Sequence, residues 1–308
     1  MNGYSKLQLS RRALLASASA LLARPGSLFG MTQSDPFPDC PGPGCDARLS
    51  SVTIGVTDWD LKQTGKLEAV ALARTLSFDA VEVSLGRKPN DGKLPMDNAE
   101  LQAQYLAEAK KQRIKLAGTC LDILHSNYLK SDKLGQKWVA DGIPVTKKLG
   151  CRTMLLPLFG KGAITSQQEQ DYVADVLKEL APEAEKAGVV MALENTISAE
   201  ANARILDRVK SKALGVYYDV GNSQRGGFDV VKEIRWLGKA RICQIHLKDE
   251  GYLGEGKIDF PAVMKAIADI EYSGFVILET SSPSGSVEND MRKNLAYVRK
   301  LVEDGRKS

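Results

Sequence analysis

From residue 51 onward, short runs of apolar, β-rich residues alternate with longer amphipathic stretches. The runs are VTIGVT (52–57), AVEVSL (80–85), IKLAGTC (114–120), RTMLLPL (152–158), VVMALEN (189–195), LGVYYDV (214–220), RICQIHL (241–247) and FVILET (275–280). They are continuously apolar rather than alternating, which predicts strands buried on both faces. A parallel sheet covered by helices places strands in that environment. The intervening stretches predict helices over 67–76, 98–112, 133–149, 166–187, 198–209, 228–237, 260–270 and 287–302. Asn98 is placed to cap the second helix, and Ser166 with Glu169 spells a capping box for the fourth. Gly150, Gly188 and Gly274 sit just before strands, where a helix end calls for a left-handed residue. Gly226 and Gly227 predict the turn before the sixth helix.

Eight such units in roughly 250 residues match a closed (β/α)8 barrel. A doubly wound open sheet is the alternative, and it should show a glycine-rich first turn. The first turn here, Thr57-Asp58-Trp59-Asp60, contains no glycine. The expected fold is therefore α/β: a single (β/α)8 TIM barrel over residues 51–308.

The first fifty residues break the pattern. Ser10-Arg11-Arg12 precedes an apolar stretch that runs to Ala23 and is followed by Arg24 and Pro25. A charged start, an apolar segment and a polar exit predict a secretory signal over residues 1–30. The paired arginines make it twin-arginine-type, so an exported, periplasmic protein is expected. Residues 31–50, rich in Pro, Gly and Ser, read as a linker. Cys40 and Cys45 flank Pro-Gly-Pro-Gly there; after export they can pair or stay free. Cys120, Cys151 and Cys243 fall in strand-like runs and read as small core residues.

Composition narrows the partners. Net charge is only +4, and the basic residues are scattered among acidic ones, which argues against nucleic acid. No apolar run reaches the length of about 18 residues that spans a bilayer, so stable membrane insertion is not expected. Gly254-Glu255-Gly256 lacks the following Lys-Ser/Thr of a phosphate loop, and no Gly-x-Ser-x-Gly nucleophile elbow is present.

Strand C-termini in a barrel point at the active-site face. Strand 5 ends in Glu194-Asn195, strand 6 in Asp219, strand 7 in His246-Leu247-Lys248-Asp249, and strand 8 in Glu279-Thr280. Four consecutive strands thus deliver Glu194, Asp219, His246 and Glu279 to one rim. Any one of these is ordinarily a helix cap or a solvated charge. Together they predict an oxygen-rich site for one divalent cation, Mn²⁺ first, with Mg²⁺, Co²⁺ or Zn²⁺ as alternatives.

The segments Ala192-Leu193-Glu194-Asn195, Tyr218-Asp219-Val220-Gly221-Asn222, Gln244-Ile245-His246-Leu247-Lys248-Asp249, Gly254 through Phe260 and Ile277-Leu278-Glu279 resemble the xylose-isomerase-like TIM-barrel superfamily. Within it they are similar to the sugar-phosphate isomerase/epimerase and ketose 3-epimerase branches. The resemblance covers residues 51–303 and is densest from 189 to 280. It implies a metal-dependent sugar isomerase or epimerase working through an enediolate. Glu194 and Glu279 would then be the acid/base pair as well as ligands. The same chemistry with a β-leaving group gives a lyase acting on 3-keto-glycosides, and a non-catalytic sugar-binding barrel is a further alternative. Relatives are often dimers or tetramers, so a homo-oligomer is an open expectation. The ketose 3-epimerases commonly carry His three residues after the strand-6 Asp; Asn222 stands there in this chain. Their Arg after the strand-7 His is not evident, and Lys248 is placed to offer positive charge instead. Glu82 near the end of strand 2, His125 after strand 3 and Trp59 after strand 1 complete the expected substrate contacts; the alternatives are an ion pair inside the barrel for Glu82, a surface loop position for His125 and core or rim packing for Trp59.

Overall fold

The computed structural model describes residues 52–307; the expected signal, linker and Cys40–Cys45 pair lie outside them. The eight strands are β1 (Thr53–Thr57), β2 (Ala80–Ser84), β3 (Lys115–Cys120), β4 (Thr153–Pro157), β5 (Val190–Glu194), β6 (Leu214–Asp219), β7 (Ile242–Leu247) and β8 (Phe275–Leu278). All pair in parallel, in sequence order, and β8 pairs back to β1 to close the barrel. Each predicted strand is present, shortened at one or both ends. β2, β4 and β5 are buried at every position, which is why their sequences lack alternation.

The helices are α1 (Glu68–Thr75), α2 (Ala99–Gln112), α3 (Lys133–Lys148), α4 (Gln167–Ala187), α5 (Ala199–Val209), α6 (Val220–Arg225), α7 (Val230–Arg241), α8 (Phe260–Asp269) and α9 (Val287–Lys307). Their apolar faces pack onto the outside of the barrel and form one continuous core with it. Asn98 caps α2, and Ser166 and Glu169 close the capping box of α4. Gly188 ends α4 at φ 74°, and Gly150 follows α3 at φ 70°. Gly274 does not behave as expected: the left-handed residue after α8 is Glu271, at φ 51°. Arg113 and Lys210 end α2 and α5 in the same way, so solvent-facing long side chains here take positions that pattern reading reserves for glycine.

The predicted sixth helix is present as α7, beginning at Val230 and interrupted at Gly238, and a short helix that the pattern did not predict, α6, precedes it with Asp219 as its N-cap. Asp219 caps α6 by accepting the Asn222 N–H at 2.7 Å. Cys120 and Cys151 are buried and Cys243 half-buried, all three with free thiols. Among the described residues no helix is long and apolar enough to cross a membrane.

Candidate metal centre

Glu194 and Asp219 are the last residues of β5 and β6, His246 is the penultimate residue of β7, and Glu279 follows β8 directly. Parallel register sets Asp219 opposite His246, and His246 opposite Ile277. Alternation then carries Glu279, two residues past Ile277, to the same inner face. Each of the four residues offers one ligand atom, and these atoms all lie within 4.8 Å of one another.

The imidazole supplies Nδ1. That atom lies 3.1 Å from Glu194 Oε1, 3.7 Å from Glu279 Oε2 and 3.8 Å from Asp219 Oδ2. Asp219 Oδ2 is buried without a hydrogen-bond partner. An orphaned carboxylate oxygen facing two further carboxylates is costly unless a cation shares the space. The donor set of three carboxylates and one imidazole suits a hard divalent ion. Burial, then repulsion from Glu279 and Glu194, pushes the Asp219 carboxyl well up. Burial would also raise Glu279, but His246 and Lys248 outweigh it and hold that carboxyl at about 2. The His246 imidazole is pulled down by burial, yet Glu194 and Glu279 together drive it well above its usual value. The group therefore carries more negative charge than its protein cations balance comfortably.

The second layer is equally specific. Lys248 Nζ donates to Glu279 Oε2 at 2.6 Å and stands 3.7 Å from Asp219 Oδ2. Trp59 Nε1 donates to the other oxygen of Glu279 at 3.1 Å. Asn222 Nδ2 donates to Glu194 Oε1 at 3.2 Å, and its own oxygen accepts from Arg225. Trp59, Asn222, Lys248, Glu194 and Glu279 all face one cavity of about 510 Å³ above the barrel. His125 lines the same cavity and stacks against Phe159, with ring centroids 6.5 Å apart.

Of the two expectations for Glu82, its placement matches the ion pair inside the barrel rather than the substrate contact. It does not line the cavity; it is fully buried inside the barrel, beneath His246. Its Oε2 lies 3.0 Å from His246 Nε2 and accepts from the Tyr217 hydroxyl at 2.9 Å. Glu82 is the third of the five residues of β2, so its side chain meets the barrel interior below the strand's C-terminal end rather than in the opening.

Several cavity residues escaped sequence reasoning. Asp122 opens a single 3-10 turn (Asp122–His125) after β3, and its carboxylate is bonded to Ser84 and lies 3.8 Å from Arg87. Burial pushes that carboxyl up. Arg87, Thr196, Phe159 and Arg225 also reach the cavity. The strand-end rule, extended by two or three residues, would have flagged Asp122, Thr196 and Arg87. No pattern distinguished Arg225 from any other helix-end cation.

The family described as xylose isomerase-like TIM barrel matches residues 70–301. A 2-epi-5-epi-valiolone 7-phosphate 2-epimerase from Actinoplanes sp. is 28% identical over 197 residues, which is 64% of this chain and 72% of that one. Among solved structures, D-psicose 3-epimerase from Clostridium cellulolyticum H10 superposes with a TM-score of 0.69 at 17% identity, covering 82% of this chain and 99% of that one. The 3-keto-D-glucoside 4-epimerase from E. coli gives 0.68 at 18% identity, covering 81% and 99%. At such identities the structural likeness speaks for the fold.

Proposed function

The chain belongs to the xylose isomerase-like TIM-barrel family, and on that premise we propose that it is a divalent-metal-dependent sugar epimerase or isomerase acting on a keto-sugar or a close derivative. The observation that carries this reading is the convergence of Glu194, Asp219, His246 and Glu279, with Glu194 and Glu279 lining the cavity. These four residues would hold the ion, and Mn²⁺ suits their donor set best. When bound, the ion supplies Lewis acidity, easing the build-up of negative charge on a carbonyl oxygen.

The protein's own groups do the rest. Glu194 and Glu279 come from strands β5 and β8 and reach the cavity from different sides. One carboxylate takes the proton from a carbon next to the carbonyl, and the other returns a proton to the opposite face. That exchange inverts the carbon; return to the neighbouring carbon moves the carbonyl instead. Asn222 holds Glu194, while Trp59 and Lys248 hold both oxygens of Glu279, so each carboxylate keeps a fixed direction. Lys248 also places positive charge beside the reacting oxygens. Trp59 and His125 give the cavity flat walls against which a sugar ring can lie.

The relatives' epimerase names support this chemistry, and the twin-arginine-type segment at residues 1–30 supports its operation after export. The direct test is product analysis by NMR in D₂O, with Mn²⁺, Co²⁺ or Mg²⁺ and a panel of ketohexoses and 3-keto-glycosides. Deuterium incorporated at one carbon with an epimer or isomer as product supports the proposal. An elimination product would reassign it to a lyase. Tight sugar binding with no exchange under any metal would leave a binding protein. Periplasmic recovery of a shortened chain, lost on Arg11→Lys/Arg12→Lys substitution, tests the export reading.

A further inference from the structure

His246 has two ring nitrogens with different duties. Nδ1 faces the carboxylates of the candidate metal centre, and Nε2 points down into the barrel at Glu82. Glu82 Oε2 also receives the Tyr217 hydroxyl, and that hydroxyl in turn receives Gln244 Nε2 at 3.0 Å. The chain of donors therefore runs Gln244 to Tyr217 to Glu82, with His246 Nε2 3.0 Å from the same oxygen. Glu82, Tyr217, Gln244 and His246 are all buried, so no water competes for these bonds.

Space for the carboxylate is made by a glycine. A Cβ on Gly118 of the neighbouring strand would stand 3.3 Å from Glu82 Oε1 and 3.4 Å from Gln244 Nε2. Glu82 and Gly118 are register partners, so the missing side chain is what lets the carboxylate lie across the barrel axis. Tyr217 packs its ring at 4.3 Å from the imidazole centroid, which closes the remaining rotation.

We propose that Glu82 is a positioning residue that fixes His246 in the Nε2–H form, leaving the Nδ1 lone pair free for the cation. This rests on the reading that His246 is a ligand. An acceptor-only carboxylate at Nε2 requires a proton there, and a neutral ring then has its lone pair at Nδ1. The same contact locks the ring plane and makes Nδ1 a better donor. Glu82 never touches substrate, so its loss acts on cation retention before it acts on the chemical step.

The test uses the whole barrel and a property that makes it unusually clean: the chain contains only two histidines, His125 and His246. Protein labelled with ¹⁵N-histidine is loaded with Mg²⁺ or Zn²⁺, both diamagnetic, and His125→Asn assigns the two rings. The expected spectrum shows His246 Nε2 keeping its proton while Nδ1 shifts on loading. Glu82→Leu is expected to weaken cation binding by about 10–100-fold in direct titration, with the protonated Nε2 signal lost or exchanging. Glu82→Gln keeps an acceptor oxygen and should recover most of that loss. Gly118→Ala removes no polar group and is expected to shift both readouts in the direction of the Leu variant.

Cation affinity of Glu82→Leu within twofold of wild type overturns the proposal, as does loading that shifts Nε2 rather than Nδ1. A uniform loss in Leu, Gln and Ala variants with the Nε2–H signal unchanged also overturns it, because it marks a purely structural role. Wild-type protein that binds no cation is a different result. It removes the metal-centre reading itself and this inference with it.

Discussion

The Lys248 ammonium lies 2.6 Å from Glu279 Oε2, inside the group of carboxylates that would hold a cation. A fixed positive charge at that distance does two opposed things. It keeps Glu279 ionised, and it repels any divalent ion approaching the same oxygens.

The expected consequence is a split phenotype for Lys248→Met. Removing the charge should tighten Mn²⁺ binding by roughly tenfold, while kcat falls by about 100-fold because the reacting oxygens lose a cation. Calorimetric metal titration and steady-state assay on one preparation check this. Weaker metal binding in Lys248→Met would show that the lysine serves to hold Glu279 in place rather than to compete with the ion.

Glu279 and Glu194 carry both ligation and proton transfer in the proposed scheme. Glu279→Gln and Glu194→Gln should each reduce kcat by at least about 100- to 10,000-fold. Metal retention should also drop, measured by metal analysis after dialysis. Solvent deuterium exchange into substrate should vanish in parallel with turnover. Near-wild-type turnover in either variant would remove that residue from the acid/base pair.

Metal removal should cost stability as well as activity. Three carboxylates converge without full compensation, and Asp219 Oδ2 lacks a hydrogen-bond partner. An ion present at about 100 times its Kd stabilises the native state by about 2.7 kcal/mol. Thermal unfolding after EDTA treatment should therefore occur several degrees lower, and added Mn²⁺ should restore it. Equal melting with and without chelator would argue that no ion is held.

A pH dependence is built into β1 and its turn. Asp58 is fully buried; its Oδ2 accepts the Ser84 and Gly65 N–H groups at 2.9 and 2.8 Å, and Oδ1 has no partner. Burial raises its carboxyl to about 8 against the backbone bonds that lower it. The folded state thus holds a proton that the unfolded chain releases near pH 4, and stability declines as pH rises from about 4 to 8. Asp58→Asn can keep both backbone bonds through its single oxygen and carries no charge. It should match wild type below about pH 4 and exceed it at pH 8.5 by roughly 1–4 kcal/mol, read from denaturant unfolding. A difference independent of pH would assign the effect to packing.

Much of this molecule could be read along the chain, because barrel geometry is a consequence of local pattern. Runs such as Val190–Glu194 are apolar at every position until the final residue, and that final charge marks the strand's open end. The four candidate ligands were legible for the same reason: strand order and parallel register bring consecutive strand ends to one rim. Helix ends were legible where a side chain does the capping, as at Asn98 and Ser166. They were not legible at Arg113, Lys210 and Glu271, where the backbone turns left-handed under a residue that carries no such signal.

What only the tertiary structure decided is direction at close range. Sequence put Glu82 near a strand end; it stands third of the five residues of β2, two short of that end. Whether its side chain rises into the cavity or drops beneath His246 depends on the register shift between β2 and β3 at Val81 and Glu82 and on the gap left by Gly118, which are properties of the closed barrel. Likewise Arg225, at the end of α6, and Arg87, in the loop after β2, meet the cavity only because distant parts of the chain fold over the same opening. Periodicity encodes which face of a strand is covered; it carries no information on which atoms, more than a hundred residues apart, come to share a hydrogen bond.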